Sequence, residues 1–430
     1  MLDIQLIRDD PERVRRGAAR KRIAFDVDRA LALDAERRRL STLREGVKAE
    51  QNRLGKQVAT LSGTAKTETL ARLKILKDEV EKHAAALDPV EKDLAILLLD
   101  APNPPADDVP DGATDADNVE VRRHGEPPAF AFTPKDHVEL MTSLRMLDVE
   151  RAGRIGGSRS YVLMGDGLFL EQAVLRLGLD LIASRGFTPL SVPVLVKESA
   201  LRGTAYFPGA EEQTYKIENP TWDEQSGWLV GTSEVSVTAF RGGEILAASE
   251  LPLRYAGLSP CFRREAGTYG KDTKGLYRVH QFNKVEQVIV DVADETRSRA
   301  HLEDIVKNAE DLLKALELPH RVVTVCTGDM GRGQVRKYDL EAWMPGRKGY
   351  GETHSASMFF DFQARRLDLR YRDADGKVRF CHTLNNTVVA SPRILIPLLE
   401  VHQRADGSVA IPQALRPYLG GRDKFRPERQ

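Results

Sequence analysis

Three cysteines in 430 residues, Cys261, Cys326 and Cys381, leave little room for sulfur chemistry. They lie far apart and none belongs to a C-x-x-C pair, so neither a disulfide framework nor a cysteine-ligated structural zinc is expected. Three buried thiols in a reducing compartment is the reading that remains. Long apolar runs are also missing. No stretch approaches the roughly 20 residues that cross a bilayer, and the N-terminal MLDIQLIRDDPERVRR has no apolar signal core. The expectation is a cytoplasmic protein without membrane contact. Net charge is absent as well, since 64 Lys and Arg balance 64 Asp and Glu. Whole-chain charge therefore says nothing for or against a polyanionic partner.

The distribution of charge says more. The first 77 residues carry about eight more basic than acidic side chains, and residues 78–120 about eleven more acidic than basic ones. A basic segment followed by an acidic one fits a polyanion-binding arm, and it also fits a solvated helix surface.

Within that region Leu33, Leu40, Val47, Leu54 and Leu61 recur every seven residues. Leu73, Val80, Leu87 and Leu94 form a second series, with Leu76, His83, Val90 and Leu97 as its partner. Apolar stripes at this period on otherwise charged helices predict a coiled-coil seam. The breaker Ser62-Gly63-Thr64 between them predicts an antiparallel hairpin, each limb about 45 Å long at about 1.5 Å per residue. Such a hairpin is too narrow for a core of its own and should project as an arm. Pro89 falls inside the second series, where a kink or a helix restart is expected. Asp10-Pro11-Glu12 predicts the start of a short helix before the arm.

Residues 101–128, rich in Pro, Asp and Gly, read as a connection. The expected organisation is an arm domain over 1–105, a linker over 106–134 and a body over 135–430. In the body, helical patterns occupy 136–152, 168–185, 294–316 and 391–402. Strand-like runs occupy 228–231, 251–262, 276–291, 321–327, 355–364 and 366–372. Neighbouring strands without regular β-α alternation favour an α+β body with an antiparallel sheet.

Four segments of the body carry chemistry. In the first, LPLRYAGLSPCFRREAGTYGKDTKGLYRVHQFNKVE (251–286), two strands flank a polar loop in which Gly267, Gly270 and Gly275 permit turns. It gathers Arg263, Arg264, Glu265, Arg278, His280 and Glu286. Arginine suits phosphate because its planar fork donates paired hydrogen bonds and stays charged, although a surface ion-pair cluster gives the same pattern. The second, Gly231-Thr232-Ser233-Glu234, lines a polar pocket or caps a helix. The third, Glu352-Thr353-His354-Ser355, can hold a magnesium ion that bridges phosphates, or is an ordinary polar strand. The fourth runs from Thr383 through Asn385, Asn386 and Thr387 to Arg393. An arginine in a first helical turn opposes the helix dipole unless an anion lies close by.

Together these segments resemble the seryl-tRNA synthetases, a family of class II aminoacyl-tRNA synthetases. Pro193 is similar to the proline that closes that class's first motif, Phe262-Arg263-Arg264-Glu265 to the second motif, and the segment ending in Arg393 to the third. GTSE, HQFNKVE and the heptad arm set this family apart from other class II enzymes, and the resemblance covers essentially the whole chain. It implies a catalytic domain built on about six or seven antiparallel strands flanked by helices. It implies activation of L-serine by ATP with magnesium, then transfer of the seryl group to tRNA(Ser), and to tRNA(Sec) where one exists. A homodimer is implied, in which one subunit's arm presents tRNA to the other's site.

The residue roles follow from the resemblance. Arg263, Glu265 and Arg393 are the expected catalytic residues. ATP falls to Arg263, Arg264, Glu265, Arg278, Val279, Glu352, Thr353, His354, Ser355 and Arg393, with Glu352 and Ser355 ligating magnesium. Serine falls to Thr232, Ser233, Glu234, Arg263, Glu286, Asn385 and Thr387. The long variable arm of tRNA(Ser) falls to Arg37, Arg38, Arg39, Arg44, Lys48, Arg53, Lys56, Arg72, Lys74 and Lys77, and its acceptor end to the active site. Two departures stand out. Asn385-Asn386-Thr387 replaces a common Asn-Gly-Ser or Asn-Gly-Thr, and Glu-Thr-His-Ser replaces Glu-x-Ser-Ser. Both keep the oxygen ligands. One rival, a ligase that loads a carrier protein, would lack the arm; another, an inactive nucleic-acid-binding module, need not keep Arg263, Glu265, Glu286, Glu352 and Arg393 together.

Overall fold

The two heptad series form helices α1, Val27–Val58, and α2, Gly63–Asp100. The computed structural model describes residues 1–218, 227–267 and 275–427, which divide into the units Met1–Pro104 and Pro105–Gln430. Asp26 caps α1 by accepting from the Arg29 amide, and the turn into α2 uses Gly63 at φ +60°. Leu40, Leu76, Leu87 and Leu94 are buried along the seam, and Leu33, Val47, Leu54, Leu73, Val80 and His83 are half-buried beside them. The limbs run antiparallel, with Arg72 pairing with Glu50 at 3.3 Å.

Of the kink or restart expected at Pro89, the restart does not occur: α2 runs through the proline without interruption. Its missing N–H removes one bond from a long helix whose neighbouring residues Leu87 and Leu94 stay packed on the seam. The predicted short helix begins at Pro11, capped by the Asp10 side chain. Asp34 is fully buried in this unit and is surrounded by Arg8, Arg37 and Arg38 at 3.0–3.2 Å.

The second unit is built on eight strands: β1 Val119–His124, β2 Thr188–Ser191, β3 Leu253–Phe262, β4 Gln281–Asp291, β5 His320–Thr324, β6 Arg336–Met344, β7 Gly349–Phe360 and β8 His382–Ser391. Their order is β1-β5-β6-β7-β8-β4-β3-β2. Every pairing is antiparallel except β2 with β3. Helices α3, Asp166–Ser184, and α4, Glu295–Ala315, pack on this sheet, and their apolar residues share its core.

The sheet is thus wider than expected. The additional edge, β1, comes from the segment read as a linker; all six of its residues are exposed, so no apolar run marked it. Ala106 and Val109 from the same segment lie in the core. Other boundaries differ too. The helical pattern over 136–152 is split into His137–Ser143 and Glu150–Gly156, with Arg145 between them at φ +54°. Phe362–Leu367, read as strand, is a helical turn, closed by Arg365 reaching back four residues to Asp361 at 2.8 Å. The return strand of the 251–286 hairpin starts at Gln281 rather than 276.

Two β-bulges set the site. Side chains alternate across a strand, so a Glu-x-x-Ser spacing would put Glu352 and Ser355 on opposite faces. The register slips between Leu340 and Glu341, leaving Thr353 unpaired and turning Glu352 and Ser355 to one side. A second slip leaves Val388 unpaired on β8, so that Thr387 and Ala390 line the same cavity.

Candidate active site

On the sheet face away from α4, a cavity of about 250 Å³ opens among β4, β6, β7 and β8. Alternation explains its walls. Lys284 and Glu286 point into it from β4, while Gln287 turns to the helix side and donates to the Ile305 carbonyl. Asn385 and Thr387 face it from β8, while Asn386 also donates to Ile305.

Arg263 and Arg393 border this one cavity. The Arg263 guanidinium lies over the Phe282 ring at 5.2 Å and donates to the Gly231 carbonyl at 3.3 Å. That of Arg393 lies over the Tyr277 ring at 4.5 Å, donates to the Tyr277 carbonyl at 3.2 Å and meets the Glu352 carboxylate at 3.5 Å. Glu265, at φ +52°, also lines the wall and pairs with Arg278 at 3.2 Å. Val279, Thr353 and Ser355 complete this end.

At the other end two carboxylates are buried together. Glu286 forms an ion pair with Lys284, whose Nζ also donates to Thr232 Oγ1 at 3.1 Å. Burial pushes Glu286 above the usual carboxylate range, and Lys284 opposes this. Glu234 accepts from Tyr206 at 2.9 Å and from Gln363 at 2.8 Å. Burial, with the neighbouring Glu286, lifts it to about 7. Asn385 Nδ2 is buried at this wall with no hydrogen-bond partner among the described residues.

Electrostatics separate the acids of β6 and β7. Burial works against ionised Glu352, yet Arg393, Lys337 and Arg263 outweigh it and hold the group below its ordinary range. Asp339, deeper on β6, is pushed by burial to about 7 despite Lys337 at 3.1 Å. An ionised carboxylate at Glu352 beside the Ser355 hydroxyl is an oxygen-only donor set, which suits a hard cation such as magnesium.

Not every residue expected at the site lines the cavity. Arg264 is exposed and is not part of the lining. His354 points through the sheet, with Nε2 on the Val388 carbonyl at 2.9 Å and Nδ1 near Thr353 Oγ1, and burial lowers it to about 3. Ser233 is spent on the Gly257 carbonyl at 3.0 Å. Thr232 lies one contact behind the wall, and Arg278 reaches the site through Glu265. Gly270 lies outside the described residues; Gly267 and Gly275 do adopt positive φ. The sequence reading missed Lys284, Lys337, Tyr206 and Gln363. Of these only Lys284 carried a signal, two residues before Glu286 on an alternating strand.

On the arm, Lys48, Arg53, Lys56 and Lys74 are exposed; Arg38, Arg39, Arg72 and Lys77 are exposed too and pair with Asp34, Glu36, Glu50 and Glu81, while half-buried Arg37 also turns to Asp34. The three cysteines are buried and unpaired, and no helix among the described residues is long and apolar enough to cross a membrane.

Comparison with known proteins agrees with this picture. A family model described as the seryl-tRNA synthetase N-terminal domain matches residues 1–105, and one described as the class II tRNA synthetase core domain (G, H, P, S and T) matches 215–402. The serine–tRNA ligase of Deinococcus radiodurans is 48% identical over 423 residues, 98% of each chain. That of Rubrobacter xylanophilus is 42% identical across the full length of both. Among solved structures, the seryl-tRNA synthetase of Pyrococcus horikoshii complexed with ATP superposes with a TM-score of 0.91 at 36% identity, covering both chains entirely. A prolyl-tRNA synthetase of Giardia lamblia shares the fold at a TM-score of 0.57 and 19% identity, over 65% of this chain and 55% of its own.

Proposed function

The chain belongs to the seryl-tRNA synthetase family, and from that premise we propose that it is a serine–tRNA ligase, activating L-serine with ATP and esterifying the product to tRNA(Ser). The observation that carries this is the shared cavity, with guanidiniums at one end and the paired acids Glu234 and Glu286 at the other. The attacking carboxylate belongs to the substrate, so the protein needs no nucleophile of its own. It aligns two anions and spreads the charge that develops between them.

Arg263 holds the α-phosphate and the serine carboxylate together, and Arg393 holds the γ-phosphate of a bent triphosphate. Glu265 reads the adenine amino group, with Val279 against the base. Glu286 takes the serine ammonium. Thr387 and Asn385, whose amide lacks a partner among the described residues, take the serine hydroxyl. A site built to satisfy that hydroxyl rejects alanine, which would leave these groups unpaired. Magnesium, held by Glu352 and Ser355, would neutralise phosphate charge.

Exposed cations on the arm favour the backbone of the tRNA's variable arm as its ligand. Such binding weakens steeply with salt. We also assign the protein to the cytoplasm and to a homodimer on family grounds, with tRNA(Sec) as a second acceptor where one exists. Aminoacylation of total tRNA with each amino acid in turn tests the reading. Serine alone should be esterified, and only when ATP and magnesium are present. Esterification of another amino acid, or none, would overturn it.

A further inference from the structure

Outside the cavity, the buried carboxylate of Glu400, on the helix Leu395–Val401 that follows Arg393, gathers three separate segments. Its Oε1 accepts from the His137 amide at 2.9 Å and from His137 Nδ1 at 2.8 Å. Its Oε2 accepts from the Gly346 amide at 2.8 Å, in the turn that carries Arg347. The other imidazole nitrogen, Nε2, lies 3.2 Å from the Leu276 amide. A backbone N–H can only donate, so Nε2 accepts, and the ring hydrogen sits on Nδ1 facing Glu400.

The next residue is Tyr277. Its carbonyl accepts from Arg393 Nε at 3.2 Å, and its ring meets the guanidiniums of Arg393 at 4.5 Å and Arg347 at 4.3 Å. A continuous chain therefore runs from Glu400 through His137 and the Leu276 amide to the Tyr277 platform under Arg393. Gly275 fits this arrangement: a Cβ there would come within 2.2 Å of His137 Nε2. The imidazole is seated against the backbone of the hairpin's return segment.

We propose that His137 is a positioning residue for ATP: through its Nε2 it pins the Leu276–Tyr277 backbone, and so fixes the direction in which Arg393 presents its guanidinium to the triphosphate. The inference rests on the assignment of Arg393 to ATP. It does not depend on which amino acid is activated.

Two substitutions divide the imidazole's functions. In His137→Asn the side-chain amide can reach Glu400 from the place of Nδ1, and nothing accepts from Leu276. In His137→Gln an oxygen can take the place of Nε2. The measurements are ATP affinity by calorimetry with magnesium, and amide hydrogen exchange at Leu276, both on the full-length protein. His137→Asn should weaken ATP binding about tenfold and deprotect the Leu276 amide, as loss of one buried hydrogen bond implies. His137→Gln should stay within about threefold of wild type, with the amide still protected. Equal ATP affinity in the two variants, or a protected Leu276 amide in His137→Asn, would overturn the proposal. Should His137→Asn fail to fold, His137→Gln decides alone: retained protection and affinity support it, and loss of either defeats it. Wild-type protein that binds ATP but shows no serine-dependent ATP–pyrophosphate exchange would refute the serine reading while leaving this comparison intact; wild-type protein that does not bind ATP would overturn both.

Discussion

Lys284 and Glu286 stand two residues apart on β4, and their side chains close an ion pair whose members are 9% and 2% exposed. Strand alternation puts both on the cavity face. Lys284 opposes the burial that raises Glu286, whose neighbours include a second buried carboxylate, Glu234.

Replacing Lys284 with methionine should therefore act through Glu286. Without the cation, burial pushes Glu286 higher still, and the group that receives the serine ammonium takes up a proton more readily. We expect the serine KM to rise about tenfold or more at pH 7, with the ATP KM changed much less. The rise should shrink at pH 9, where protonation of Glu286 is less favoured. Breaking the buried pair should also destabilise the ligand-free protein by about 3 kcal/mol. Exchange kinetics at the two pH values decide the matter; a serine defect of the same size at both would mean that Lys284 acts on serine directly.

Glu234 yields a prediction with a definite sign. Its proton is held to about 7 in the folded protein, against an ordinary 4.5. Between those values the folded state binds more protons than the unfolded one, so stability falls as pH rises. The contribution is fully present below about 4.5 and is lost as pH passes through about 7, and it is on the order of 3 kcal/mol. Glu234→Gln removes this titration. Denaturant midpoints from pH 5 to pH 8 should fall less steeply for the variant than for wild type, and parallel curves would show that Glu234 does not titrate in that window.

How much of this was legible in the sequence depends on the kind of signal involved. The seam of α1 and α2 was readable because Leu40, Leu76, Leu87 and Leu94 repeat at a fixed period and are buried where the period puts them. Arg263 and Glu286 were found because they occur in a stretch of unlike charges, and Arg393 because a lone arginine opens an apolar helical segment. Strand β1 was missed, since its alternation, Val119-Glu120-Val121-Arg122, is short, buries no residue and lies in a segment rich in Pro, Asp and Gly. The turn Phe362–Leu367 was misread because Phe362-Gln363-Ala364-Arg365 alternates as a strand does for four residues, and tertiary packing of Phe362 and Ala364 selects the helix. Bulges at Thr353 and Val388 have no composition of their own, so the sequence could suggest Glu352 and Ser355 as partners but not why they share a face. His137 and Gln363 contribute through distant contacts, to Glu400 and to Glu234, and a linear reading contains no trace of either.

Arg263→Ala isolates the charge that the proposed chemistry needs most. Among the described residues the side chain makes one hydrogen bond, to the Gly231 carbonyl, and lies over the Phe282 ring. Thermal stability should thus change little. Serine-dependent exchange should fall by about a hundredfold to a thousandfold, the usual effect of removing one donor from a developing oxyanion. Wild-type-like exchange would take Arg263 out of the mechanism.

The arm permits a cleaner separation of the two half-reactions. Because Arg72 faces Glu50 across the seam, residues 44 and 77 lie at matching heights on α1 and α2, and 44–77 can be exchanged for a short glycine linker without unpairing the base. The excision takes away Arg44, Lys48, Arg53, Lys56, Arg72, Lys74 and Lys77. It leaves the whole second unit, which contains the cavity. Exchange of pyrophosphate into ATP should therefore stay within about twofold of wild type. Charging of tRNA(Ser) at moderate salt should drop on the order of a hundredfold or more, as expected when several phosphate contacts vanish together. Reversing single charges, as in Lys48→Glu, should give partial losses that shrink as salt is raised. Charging that survives the excision would mean that the arm's cations face solvent alone and that tRNA is held elsewhere.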